Sequence, residues 1–138
     1  SAPAVTAEAF RRRLEQVGER LQTLLLVDRE TGRPAAGFTF SEIVRGCFKS
    51  AYLGYSALRP FAGTGRTREG LNLALSYGFE HLDLHRVEAN IQLGNEASIR
   101  MVKRAGFELE GLSKGYLFID GAWRDHQRWA LREEIWRR

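Results

Sequence analysis

The chain has 138 residues, of which 43% are hydrophobic and 11% aromatic. That is enough apolar material for one core and too little length for two ordinary domains, so residues 1–138 are read as a single domain. No apolar run approaches the roughly 20 residues of a membrane span, and the start Ser1-Ala2-Pro3-Ala4 lacks the charged-then-apolar layout of a signal peptide, so a cytoplasmic protein is expected. The formal net charge of +4 favours an anionic partner. The arginines are dispersed, and neither zinc-finger spacing nor an aromatic RNA-binding signature is present, which disfavours a dedicated nucleic-acid module. The single cysteine, Cys47, cannot form an internal disulfide and is expected to act as a small buried hydrophobe in a reducing compartment.

In chain order, Phe10, Leu14, Val17 and Leu21 recur at helical spacing after Thr6, an acceptable N-cap, and predict an amphipathic helix over residues 1–20 that precedes a core over 21–138. Leu24 to Val27 forms an apolar strand, Thr31-Gly32-Arg33-Pro34 a turn, and Ala36 to Val44 a second strand, together an antiparallel hairpin. A third strand, Ala51 to Leu58, stops before Pro60. The period then changes, because Leu71, Leu75, Phe79 and Leu82 fall on one helical face directly behind a glycine-rich turn. His85 to Gln92 alternates as a strand with one wet face, and Asn95 caps a helix that Gly106 ends in a left-handed conformation. Phe107 to Ile119 and Trp123 to Leu131, joined by Asp120-Gly121, form a closing hairpin. The order predicts an α+β fold with a mixed sheet and a central strand-helix-strand crossover.

Two features carry chemistry. In Gly63-Thr64-Gly65-Arg66-Thr67-Arg68-Glu69 the glycines let backbone amides approach an anion, and the helix behind them presents unpaired N–H groups and a positive dipole end. A pyrophosphate suits that turn, with Arg66 and Arg68 adding charge, although the same spacing also occurs in plain loops. The second feature is the cap Asn95-Glu96-Ala97-Ser98-Ile99-Arg100, which follows the one strand with a polar face. His85 and His126 have no Cys or Asp at ligand spacing, so no metal is expected.

Several segments share one order along the chain: Tyr52-Leu53-Gly54-Tyr55-Ser56, the glycine turn, His85-Arg86-Val87-Glu88-Ala89-Asn90, Asn95-x-x-Ser98-x-Arg100, Gly106-Phe107, and Tyr116-Leu117-x-Ile119-Asp120-Gly121-x-Trp123-Arg124-Asp125-His126. With Phe40-Ser41-x-Ile43-Val44-Arg45-Gly46-x-Phe48, this series resembles the GNAT superfamily, in particular its ribosomal-protein-alanine N-acetyltransferase branch.

The resemblance implies a largely antiparallel mixed sheet with two splayed parallel strands that hold acetyl-CoA, from which acetyl passes directly to a primary amine. The acceptor it implies is a protein N-terminus, with a small-molecule amine or a non-catalytic acyl-CoA-binding role as alternatives, and a homodimer is left open. It further implies that main-chain donors at Ser56, Ala57 and Leu58 polarise the thioester. Amides of Gly63, Thr64, Gly65, Arg66, Thr67 and Arg68 would seat the pyrophosphate, and Asn95 would bind the pantetheine arm, supported by Ser98 and Arg100.

Departures from the family pattern stand at Ala62, Thr67 and Gly115, the last where relatives often carry an acid, and the family's first strand and helix are expected to be missing. An α-amine, with a pKa of about 7.7 to 8, needs a base less than a lysine does at about 10.4. Water held by Glu88 or Asn90 could therefore take its proton, and the alternative reading of Glu88 is a structural ion pair with Arg86. Tyr116 could protonate the departing thiolate, line the acceptor groove, or simply pack on the sheet.

Overall fold

The structure is a computed structural model that describes residues 10–13, 20–27, 32–57 and 66–138. Seven strands form one sheet: β1 (Phe10–Arg13), β2 (Leu21–Val27), β3 (Pro34–Val44), β4 (Ser50–Ala57), β5 (Arg86–Gln92), β6 (Glu108–Ile119) and β7 (Ala122–Arg132). Their spatial order is β1-β2-β3-β4-β5-β7-β6. Every neighbouring pair is antiparallel except β4 and β5, whose parallel pairing requires the crossover through helix α1 (Arg66–Ser76). Helix α2 (Glu96–Ala105) links β5 to β6, and a short α3 (Glu133–Trp136) follows β7.

One face of the sheet is the core. Alternate residues Leu24 and Leu26 of β2, Phe38 and Phe40 of β3, Ala51 and Leu53 of β4, and Val87, Ala89 and Ile91 of β5 are buried with Leu71, Leu75 and Val102 of the helices. The helix approaches the sheet closely at Gly70, where a Cβ would lie 2.5 Å from the Leu26 methyl and 3.0 Å from the Phe38 ring. The opposite face carries Tyr52, Arg86, Glu88 and Asn90 at the alternate positions.

Three expectations need correction. Residues 10–13 lie not in a helix but in a strand, paired with β2 from Phe10↔Leu26 to Arg13↔Thr23. Positions four apart share a strand face as well as a helix face, and the open edge of β2 offered backbone partners that periodicity does not register; Leu14 and Val17 lie outside the described residues. The helix through Phe79 and Leu82 is α-helical only to Ser76 and continues as a π-helical turn over Tyr77–His81, closed by Leu82 N–H donating to the Tyr77 carbonyl at 3.0 Å. Packing explains the wider turn: Gly78 lies against the Phe40 ring and Tyr77 stacks on His81 with centroids 4.6 Å apart. Finally, Cys47 is exposed between β3 and β4, where the tight connection leaves it no core to enter.

The other elements follow the sequence. Asn95 Oδ1 accepts from Ser98 N at 3.3 Å, and Gly106 ends α2 at φ 100°. Asp120 and Gly121, both at positive φ, turn the closing hairpin. Arg124 locks that turn by donating to the carbonyls of Ile119 at 3.0 Å and Asp120 at 3.2 Å.

Candidate active site

β4 and β5 pair only through Ser50↔Arg86, Ala51↔Val87 and Tyr52↔Glu88. Beyond that point β4 stays bonded to β3 as far as Ala57 and β5 stays bonded to β7 as far as Gln92, so the two parallel strands separate. Along residues 53–57 each strand partner lies on one side only, and alternate N–H groups point into the opening. A cavity of about 230 Å³ occupies it, lined by Gly54, Tyr55, Asn90, Asn95, Ser98 and His126 among others.

Among the described residues, two buried side-chain oxygens at the gap, Tyr55 Oη and Asn90 Oδ1, have no hydrogen-bond partner of good geometry, the Ser98 hydroxyl being the group that comes near Tyr55 Oη. A buried polar atom left unpaired costs on the order of 1–3 kcal/mol, so two at one opening indicate a polar ligand that completes them. Burial pushes the Tyr55 phenol above its ordinary pKa, with the neighbouring Ser98 hydroxyl acting the other way. Tyr55 is itself held by its ring, 5.7 Å from that of Phe38. The N-terminus of α2 opens on the same cavity through Asn95 and Ser98.

Above the gap, on the polar face, stands a second depression of about 280 Å³ lined by Glu42, Val44, Phe48, Tyr52, Arg86 and Glu88 among others. Arg86 donates to Glu88 at 2.8 Å and grips Glu110 with both terminal nitrogens, at 2.6 and 2.9 Å. That grip holds the Glu110 carboxyl below its ordinary range and pushes the Arg86 guanidinium higher, Glu110 being the main cause and Glu88 adding to it. Asn90 Nδ2 reaches Glu88 Oε2 at 3.5 Å. The Tyr116 phenol, raised mainly by burial, feels the charges of Tyr52, Glu88 and Arg128, and its ring lies 5.3 Å from that of His126. His126 is buried, with Nδ1 3.0 Å from the Arg124 carbonyl, so a neutral ring carries its proton on that nitrogen.

The sequence-derived residues therefore divide. Glu88 and Asn90 are neighbours on the polar face, and the Tyr116 phenol lies within range of the Glu88 charge without lining either cavity; Asn95 and Ser98 line the gap, with Asn95 Oδ1 spent on its own helix cap. Ser56 and Ala57 lie on the β4 rim of the gap, where their backbone is described. Arg66 and Thr67 begin α1, and Arg68 is exposed in its first turn. Arg100 is exposed on α2 and does not line the cavity. Leu58, Gly63, Thr64 and Gly65 lie outside the described residues. Tyr55, Tyr52, Glu42 and His126 were missed as site residues; the first two belong to the quoted Tyr52 to Ser56 segment, whose alternation puts them on opposite faces, whereas nothing local marks Glu42.

The acetyltransferase (GNAT) domain family matches residues 2–108. The chain belongs to the GNAT family. It is 43% identical over 97 residues to the [ribosomal protein uS5]-alanine N-acetyltransferase of Escherichia coli (strain K12), covering 70% of this chain and 50% of that protein. It is 31% identical over 131 residues to the probable N-acetyltransferase YjcK of Bacillus subtilis (strain 168), covering 91% and 72%. Among solved structures, Mycobacterium smegmatis RimJ in complex with CoA-disulfide superposes with a TM-score of 0.78 at 32% identity, covering 83% of this chain and 54% of that one. The chain thus spans about half the length of the ribosomal-protein relative. No described helix is long and apolar enough to cross a membrane.

As a test of the gap, Asn95→Ala is expected to destabilise the fold by about 1 kcal/mol through loss of the cap. It should also weaken acetyl-CoA binding by more than that cost transmits. Titration calorimetry beside thermal unfolding checks this, and an unchanged affinity would remove Asn95 from the binding site.

Proposed function

We propose that this GNAT domain binds acetyl-CoA in the gap between β4 and β5 and transfers acetyl to a primary amine, the α-amine of a protein N-terminus. The observation that carries the reading is the pair of buried oxygens, Tyr55 Oη and Asn90 Oδ1, that have no well-placed partner among the described residues at the opening of two parallel strands. Both can engage an amide-bearing arm, Tyr55 as donor and Asn90 as acceptor. Alternate N–H groups of β4, ending at Ser56 and Ala57, supply donors for a carbonyl oxygen that gains charge, and the start of α1 lies at the pyrophosphate end.

Acetyl-CoA supplies the acetyl group on a thioester when bound. The chain's residues do the rest. Glu88, ion-paired to Arg86 through Oε1, keeps Oε2 beside Asn90 for a water that passes the proton of the attacking amine to this carboxylate, and Tyr116 donates its phenol proton to the sulfur as the carbon–sulfur bond breaks. The new bond joins the amine nitrogen to the acetyl carbon.

Charge favours an α-amine over a polyamine. Among the described residues, the two carboxylates that line the upper depression are already matched, Glu88 by Arg86 and Glu42 by Arg20. A matched site attracts a multiply charged cation weakly but still admits an amine that is partly neutral near pH 8. Release of the CoA thiol should therefore be rapid with peptides that begin with free Ala, Ser or Thr, slow with spermidine, and absent with N-terminally blocked peptides. Equal turnover on blocked peptides would refute the α-amine, and binding of acetyl-CoA without turnover on any amine would indicate a non-catalytic role.

A further inference from the structure

The hairpin of β6 and β7 is interrupted where it meets the site. Ser113 is paired with His126 and Leu117 with Arg124, so three residues, Lys114, Gly115 and Tyr116, face the single residue Asp125. In an unbroken strand Tyr116 would project to the face opposite Ser113 and Leu117. Instead its ring rests against His126, the partner of Ser113, and its phenol lies within charge range of Glu88 and Tyr52. The bulge has turned the side chain from one face of the sheet to the other.

Two residues make that bulge. Gly115 has φ 53°, in the left-handed region that a side chain adopts only with strain; a Cβ there would meet nothing nearer than the Trp123 Cβ at 3.9 Å, so conformation rather than space favours glycine. Asp125 Oδ1 accepts from Gly115 N at 2.8 Å, which gives the extra backbone amide a charged acceptor where the ladder offers none. Arg124 and His126, the neighbours of Asp125, are each fixed to backbone carbonyls, so Asp125 projects from a rigid stretch.

We propose that Asp125 is a positioning residue for the transfer reaction, holding the Gly115 bulge in the one conformation that delivers the Tyr116 hydroxyl to the polar face of the gap. The catalytic part of this rests on the acid role given to Tyr116 above; the positioning part does not. It also accounts for the glycine at position 115, which serves to aim its neighbour rather than to supply a base.

Tyrosines labelled with fluorine and read by fluorine NMR test the positioning without activity, the Tyr116 signal being assigned by its loss in Tyr116→Phe. Asp125→Ala should shift that signal and leave those of Tyr55 and Tyr77 in place. Asp125→Asn, whose amide oxygen can still accept from Gly115 N, should restore it. Gly115→Ala, strained at its φ, should shift the same signal, and stands in if Asp125→Ala does not fold. A Tyr116 signal indifferent to both changes overturns the proposal.

In steady-state kinetics Asp125→Ala should lower kcat roughly 10- to 100-fold, the scale of a displaced catalytic group, with the KM for acetyl-CoA within about twofold. In the Tyr116→Phe background the same change should have almost no effect. An equal loss in both backgrounds shows that Asp125 does not act through Tyr116. If Tyr116→Phe turns over like the parent, the acid role falls, and the fluorine signal alone decides the positioning.

Discussion

Gly54→Trp is expected to weaken acetyl-CoA binding about 100-fold or more while leaving the protein folded. Gly54 lines the cavity between the diverging strands, and a Cβ added there meets no atom within 4 Å, so the substitution enters open space and not the core. An indole fills a large part of a cavity of about 230 Å³. Because strands favour aromatic residues over glycine, the thermal midpoint should hold or rise. A 100-fold change corresponds to about 2.7 kcal/mol of binding free energy, well within reach of calorimetry. Unimpaired binding would mean that the ligand does not pass through the gap, which would undo the proposed function at its base.

Phe38→Ala is expected to cost about 3–5 kcal/mol of stability, the usual range for a phenylalanine removed from a core. Phe38 is fully buried in β3 and touches three parts of the molecule at once. Its ring lies beneath Gly70 of α1, in the same packed layer as Leu26, and beside the ring of Tyr55. Since a domain of this size has on the order of 5–15 kcal/mol in all, urea denaturation should show a large drop in midpoint. The same cavity frees Tyr55 to move away from the gap, so acetyl-CoA affinity should fall in the fraction that remains folded. A loss of under about 1 kcal/mol would show that α1 does not lean on this ring as described.

Local signals in the sequence identified most elements of the fold. The closing hairpin was legible because Asp120-Gly121 is a turn that few other pairs make, and α2 because its cap and its terminating glycine bracket it on both sides. The N-terminal strand was not legible, since the spacing of Phe10 and Leu14 satisfies a helix and a strand alike, and the decision lay with the edge of β2. The π-helical turn was equally hidden: Leu71, Leu75, Phe79 and Leu82 keep a helical spacing through it, and the wider turn goes with the close packing of Gly78 on Phe40, a contact distant in sequence. Helix α3 has four residues and no periodicity to read; it is held by Trp136, whose ring stacks 5.0 Å from Phe79.

For the site, the sequence by itself determined the kinds of chemistry present: a polar strand carrying Glu88 and Asn90, a capped helix at Asn95 and a tyrosine at the end of the chain's last long hairpin. These are properties of residue type and short-range spacing, which one strand or one helix end suffices to express. Only the tertiary structure decided where β4 and β5 part, because pairing to β3 and β7 on their outer edges sets that divergence, and neither strand encodes it alone. It also decided which oxygens are left unpaired, since burial is a property of the whole packed sheet. The face on which Tyr116 emerges was settled last, by an acceptor ten residues away across the hairpin, where a count of alternating positions gives the wrong side.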